Sequence, residues 1–204
     1  MNGNVLATEE VLEKTVKAIE GNGFTVFVVE NGEEAKEKAL SLLPEGSEVF
    51  TNTSTTNNTI GLTAAINESG KYKAVHPAVL KMDQATEAKR IKEMRSVPDY
   101  AVGSVHAITE DGRAIIASGS GSQLPSYAYG ADHVIWVVGT QKLVKNIDDG
   151  IKRIYDYILP FESERLNKAY NITSGSSVNR ILIMNTEKMK DRVTIILVKE
   201  SLGF

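Results

Sequence analysis

The chain contains no cysteine, which excludes disulfides, thiol catalysis and cysteine-held zinc or iron–sulfur centres within these 204 residues. It has no uninterrupted run of 18 apolar residues, so no membrane insertion is expected. Met1 to Thr8 has neither the basic start nor the apolar middle of a secretory signal, and a cytoplasmic protein is expected. There is no excess of positive charge: the formal net charge is -3, with Lys and Arg spread evenly, so no basic stripe for nucleic acid exists. Histidine is scarce. His76, His106 and His133 are spaced too widely for a helical metal pair, and no metal site is expected. No P-loop is present, and Gly119-Ser120-Gly121-Ser122-Gln123-Leu124 lacks the third glycine of a dinucleotide fingerprint. What remains is ordinary globular composition, 42% hydrophobic, enough for one full core.

Periodicity alternates between helix and strand. Thr8 reads as the N-cap of a helix that places Leu12, Val16 and Ile19 on one face and ends at Gly21 and Gly23. Phe24 to Val29 reads as a buried strand, Glu33 to Leu43 as a helix closed by Pro44, and Glu48 to Phe50 as a strand. A Ser/Thr/Asn loop at 51 to 59 then leads to a helix over Ile60 to Ile66. Further on, a strand is expected at Tyr72 to His76, a helix at Gln84 to Arg95 and a strand at Tyr100 to Val105. Asp111-Gly112 between two apolar runs predicts a tight hairpin. Val134 to Val138 reads as a central strand and Val144 to Ile158 as a helix broken by Pro160, with Phe161 to Tyr170 helical again. After a polar loop at Asn171 to Asn179, Arg192 to Val198 reads as a last strand at a sheet edge. The expected fold is α/β: a mainly parallel, Rossmann-like sheet with helices on both faces and a small antiparallel element. One domain over 1–204 is expected, with a less regular extension from about 160.

Two loops follow strands where a parallel sheet places its ligands. Gly119-Ser120-Gly121-Ser122-Gln123 follows Ala114 to Ala117, and Ser54-Thr55-Thr56 follows the strand ending at Phe50. Glycines and hydroxyls there suit an anion, because glycine takes positive φ at no steric cost and exposes amide hydrogens. Lys142, just after Gly139, supplies charge in the same crevice, and His106 ends a strand close enough to line it. Glu110 and Asp111 at the hairpin tip are candidate catalytic carboxylates, although such residues also simply form turns. Tyr127, Tyr129, Tyr155, Tyr157 and Phe161 form either an aromatic partner surface or core packing.

Four segments in order carry a resemblance. Asn52-Thr53-Ser54-Thr55-Thr56-Asn57-Asn58-Thr59-Ile60-Gly61-Leu62 is similar to a Gly-Gly-Ser-x-Thr-x-x-x-Ile-Gly-Leu stretch, without its two leading glycines. His106-Ala107-Ile108-Thr109-Glu110-Asp111-Gly112 is similar to Asn-Ala-Ile-Thr-Glu-Asp-Gly, and the 119–123 loop to Gly-Thr-Gly-Asn-Arg with the arginine gone. Val134 to Val144 is similar to Val-x-Val-Val-Gly-x-Asn-Lys-Ile-Val. Over roughly residues 9 to 170 the chain resembles the LUD-domain family of lactate-utilisation proteins, LutC-like, in the NagB/RpiA/CoA-transferase-like superfamily. The resemblance implies a role beside iron–sulfur or flavin oxidoreductase subunits in lactate or related organic-acid utilisation. The cluster of some relatives is not carried over, since this tail has no cysteines, and no cofactor is named.

Three functions follow as alternatives. One is an accessory protein holding a small anionic ligand between residues 52–56 and 118–123. The second is a transferase or isomerase acting on acyl-CoA or a sugar phosphate through Glu110 or Asp111. The third is a non-catalytic docking subunit of an oxidoreductase, contacting it through Tyr155 to Tyr170. A homo-oligomer is compatible with each.

Overall fold

A computed structural model describes residues 3–171 and 173–204 of the chain; Met1, Asn2 and Ile172, which belong to the leader and polar-loop stretches read above, lie outside the described residues, as does the Tyr170 side chain. Helix α1 (Glu9–Gly21) starts where expected, with the Thr8 hydroxyl accepting from the Val11 amide at 3.4 Å. Strand β1 (Thr25–Val29), helix α2 (Gly32–Ser41) and strand β2 (Glu48–Thr51) follow. The Ser/Thr/Asn loop forms its own short helix, α3 (Thr55–Thr59), capped by Ser54 and joined to α4 (Leu62–Asn67) through Gly61 at φ 72°. Strand β3 is only Lys73–Ala74, because Val75–Leu80 turns helical as α5 instead of extending the strand expected to His76. Helix α6 (Ala88–Ser96) and strand β4 (Tyr100–Gly103) complete this half.

The hairpin is present as β5 (Ala107–Thr109) and β6 (Ala114–Ser118), antiparallel with Ala107 opposite Ile115. A π-helical turn, Ser126–Gly130, leads into β7 (His133–Gly139), and a 3₁₀ turn at Thr140–Lys142 precedes β8 (Leu143–Val144). Asn146 caps α7 (Ile147–Arg153), which passes through a π-helical segment, Ile154–Ile158, directly into α8 (Leu159–Tyr170). The break expected at Pro160 does not occur. The proline follows directly on the π segment, which has already shifted the hydrogen-bond register, so the helical path continues through it. Strands β9 (Arg180–Met184) and β10 (Val193–Val198) end the chain's regular structure.

The six-stranded sheet is parallel throughout, in the order β1-β10-β7-β4-β2-β3. The last strand is therefore not at an edge. It inserts between β1 and β7, and all six of its residues are buried, as a continuous apolar run in a parallel sheet requires. Successive residues point to opposite faces. Val134, Trp136, Val138, Val193, Ile195 and Leu197 pack with Leu12 and Ile19 of α1 on one side. Ile135, Val137, Ile196 and Val198 pack with Ala35, Ala39, Leu62 and Ile66 on the other. Helices thus cover both faces.

A second, four-stranded mixed sheet, β8-β5-β6-β9, stands beside the first and packs Ala107, Ile115 and Ala117 against Ile154 and Ile158. Because the main strands all run the same way, their carboxyl ends gather on one rim. The segments leaving β2, β4 and β7 meet there, and the second sheet with α7 and α8 forms the opposite wall.

Candidate functional site

At that rim lies a cavity of about 500 Å³. Asn52 to Thr56, Ser104 to His106 and Lys142 line it from the main sheet; Ala117 to Ser120, Ser122 and Gln123 line it from the hairpin side. The two loops singled out in the sequence lie on one cavity. Of the expected ligand-binding residues, Ser54, Thr55, Thr56, His106, Gly119, Ser120, Ser122, Gln123 and Lys142 are on its wall. Gly121 is not. At φ 83°, it turns the loop away, and a Cβ there would stand 2.8 Å from the Arg180 Cδ.

Lys142 is buried. Its ammonium donates to the Thr56 hydroxyl at 2.9 Å, the Ser104 hydroxyl at 3.2 Å and the Val105 carbonyl at 3.3 Å. All three acceptors are neutral. Burial, and secondarily the Arg153 charge, push its pKa down from 10.5 to about 7. The Thr56 hydroxyl, donating onward to the Leu202 carbonyl at 3.1 Å, serves as a bracket for the lysine.

His106 sits beside it. Its Nδ1 accepts the Ala117 amide at 3.1 Å, which leaves the proton of the neutral ring on Nε2. Burial first, then the charges of Lys142 and Arg153, push its pKa down to about 3, so the ring is neutral at any ordinary pH. Arg153 is buried behind it, donating to the His106 carbonyl at 3.2 Å and the Gly3 carbonyl at 2.9 Å, while its Nη2 has no hydrogen-bond partner among the described residues. Arg95, on the cavity wall, has a buried Nε without a partner, and with burial it lowers the pKa of half-buried His76. Among the described lining residues Glu162 is the only carboxylate, and Arg165 holds it with two hydrogen bonds of 2.7 Å. The cavity therefore carries uncompensated positive charge.

The loops contribute differently from expectation. The Gly121 and Ser122 amides, expected to face a ligand, are taken by the loop itself: Gly121 donates to the Ser118 hydroxyl at 2.8 Å and Ser122 to the Ser120 hydroxyl at 3.3 Å. Gln123 closes the same loop, accepting from Ser118 at 2.9 Å and donating to the Ala117 carbonyl at 3.2 Å. Ser54 caps α3 by accepting from the Asn57 amide at 3.2 Å. These side chains shape the wall, and the charge comes from Lys142 and the arginines.

The two candidate carboxylates are elsewhere. Glu110 pairs with Lys14 of α1 at 2.7 Å, and Asp111 pairs with Arg113 at 2.5 Å and accepts from the Thr109 hydroxyl. The Arg113 guanidinium holds the Asp111 carboxyl below its ordinary pKa. Neither lines the cavity. His133 is likewise away from it, stacked on Tyr100 at 4.8 Å. The aromatic residues split: Tyr127 is core, edge-on to Trp136 at 5.2 Å, whereas Tyr157 and Phe161 pack together at 4.9 Å with Phe161 also stacked on Phe204, and Tyr129 is 82% exposed.

Arg95, Arg153 and Arg165 were not among the residues expected at the site. A signal existed for two of them. Arg95 lies one turn after buried Ile91, and Arg153 adjoins Ile154 on the face that packs inward, positions where a cation needs a reason to be.

The family model for the LUD domain matches residues 12–198. A DUF162 family protein from Deinococcus radiodurans has a similar structure, with a TM-score of 0.58 over 95% of this chain and 99% of that one at 13% identity, a likeness of fold. The β subunit of eIF2B from Chaetomium thermophilum aligns over 58% of this chain and 44% of that one, with 11% identity and a TM-score of 0.39. No curated protein matches the sequence. The match along nearly the whole length places the chain in a family: it belongs to the LUD-domain family.

Proposed function

We propose that this chain binds an organic anion in the rim cavity, as a LutC-like accessory protein of lactate or related organic-acid utilisation. One observation carries the reading: Lys142 is a buried ammonium with three neutral acceptors and, among the described residues, no carboxylate partner, on the wall of a cavity that two further arginines face or back. A buried charge without a counter-charge is costly to the fold, and an anionic ligand offsets that cost on binding. Neutral His106 offers its Nε2 hydrogen as an additional donor on the same wall. The metabolic context comes from the family alone. The transferase or isomerase reading has no support from the geometry, because Glu110 and Asp111 are tied to Lys14 and Arg113 away from the cavity.

Calorimetric titration with lactate, pyruvate and inorganic phosphate tests this, using the wild type and Lys142→Met. The substitution is expected to leave the chain folded with equal or greater stability, since it removes a buried charge, while weakening anion binding on the order of 100-fold. A protein that binds no carboxylate of any chain length, or whose Lys142→Met variant binds anions as well as wild type, does not have this function.

A further inference from the structure

Lactate is small for this cavity. A water molecule's share of liquid volume is about 30 Å³, so a cavity of about 500 Å³ has room for roughly seventeen non-hydrogen atoms. A three-carbon hydroxy acid fills well under half of that. The lining is also divided by element. Lys142 and the hydroxyls of Ser54, Thr56 and Ser104 leave the main sheet at β2, β4 and β7, with further hydroxyls on the 118–122 loop, whereas the helical side presents a strip of Ile154, Ile158, Leu159 and Leu166 from one continuous path, continued by Val178 and Phe204 beside Ser176 and Ser177. Residues 154, 158, 162, 165 and 166 recur at helical spacing, so one face of that path borders the cavity over three turns. Glu162 and Arg165 within the strip satisfy each other, which removes their net charge from that wall.

Resting on the anion reading above, we infer that the ligand is amphiphilic: a carboxylate-bearing organic acid whose head meets Lys142 and whose apolar body of several carbons lies along the strip from Ile154 to Leu166. An apolar wall facing a charged floor is a poor site for a fully hydrated small ion. A ligand with one charged end and one hydrocarbon end satisfies both walls, with polar groups fixing orientation and apolar area supplying affinity.

The experiment is a calorimetric series on the full chain with straight-chain carboxylates from propanoate to decanoate, with octylamine as the charge-reversed control. Leu166→Gln and Leu159→Gln are made in parallel. Both leucines are only half-buried, so the variants are expected to fold. Affinity should rise about threefold to fourfold per added methylene until the strip is covered. The leucine variants should flatten that rise, shrinking the ratio of decanoate to propanoate affinity, and octylamine should not bind. If all chain lengths bind equally, or the leucine variants keep the full rise, the amphiphilic class is wrong and the anion reading survives. If no carboxylate binds, or octylamine binds as well as nonanoate, the anion reading itself falls.

Discussion

The two ends of one hairpin behave as opposites. At the open end, His106 and Ala117 border the cavity, with Lys142 and Arg153 nearby and, among the described residues, no carboxylate paired with either cation. At the turn, a few residues further along β5, Glu110 and Asp111 each have a cation, Lys14 and Arg113, and all four groups reach solvent. By residue type alone the turn looks the more chemical of the two, since it holds adjacent carboxylates. The environment reverses that ranking. Charges paired at the surface are each stabilised by their partner and cost little, whereas Lys142, buried among neutral acceptors, is pushed toward its neutral form and lowers the pKa of His106 beside it. Perturbation is what marks a site.

The strongest way to break this contrast is with acid. His106 titrates at about 3 in the folded chain against 6.5 ordinarily, so between those values the unfolded chain binds the extra proton. Its contribution to stability is full above pH 6.5 and is lost as pH falls toward 3, up to about 5 kcal/mol in all, comparable to the whole stability of a small domain. Between pH 7 and 4.5 the loss from this residue is about 2 to 3 kcal/mol. His106→Asn keeps an acceptor for the Ala117 amide and removes the titration. Urea denaturation at both pH values should therefore show a smaller acid loss in the variant than in wild type. An equal loss in both would mean that the ring is not held neutral by its burial and its cationic neighbours.

The turn has its own sensitive position, and it is not a carboxylate. Gly112 has φ 82°, and a Cβ there would stand 2.6 Å from the Ala18 carbonyl carbon and 2.7 Å from the Ile19 nitrogen, both backbone atoms of α1. Gly112→Ala should cost about 2 to 4 kcal/mol, from the left-handed conformation and the overlap together. Glu110→Gln and Asp111→Asn should leave the denaturation midpoint at pH 7 almost where it was, because their ion pairs are on the surface. Carboxylate variants that lose more stability than Gly112→Ala, or that alter binding in the cavity, would undo the distinction between the two ends.

Much of this arrangement could be read in the sequence, and the rest could not for identifiable reasons. Val134 to Val138 announced a central parallel strand, because a strand buried on both faces has no polar alternation to hide it. The two loops were found because chain order and sheet direction put both at carboxyl ends. The position of β10 was illegible: a strand's composition records that it is buried, and only long-range pairing with β1 and β7 decides which neighbours bury it. Strand β9 was missed since Arg180 and Ile181 are exposed at the edge of the second sheet and follow a polar loop. Arg153 escaped because its importance lies in a contact 47 residues distant, with the His106 carbonyl.

Lys142 sharpens the contrast most finely, through a proton. In the folded chain it titrates near 7 against an ordinary 10.5, because burial disfavours the ammonium. Between those values the unfolded chain holds more protons, so this group's effect on stability grows more favourable as pH rises from 7 toward 10.5 and is constant below 7. An anion placed against Lys142 favours the ammonium and lifts its pKa back up. Binding at pH 8 should then take up as much as one proton, and affinity should fall with rising pH by about tenfold per unit at most, beginning near pH 7. Titrations at pH 8 in buffers of different ionisation enthalpy measure the uptake directly. The same measurement on Lys142→Met should show none, and on Glu110→Gln should match wild type, since the turn has no part in the cavity's charge. Binding at pH 8 with no proton uptake by the wild type would separate the ligand from Lys142 and leave the cationic floor without a counterpart.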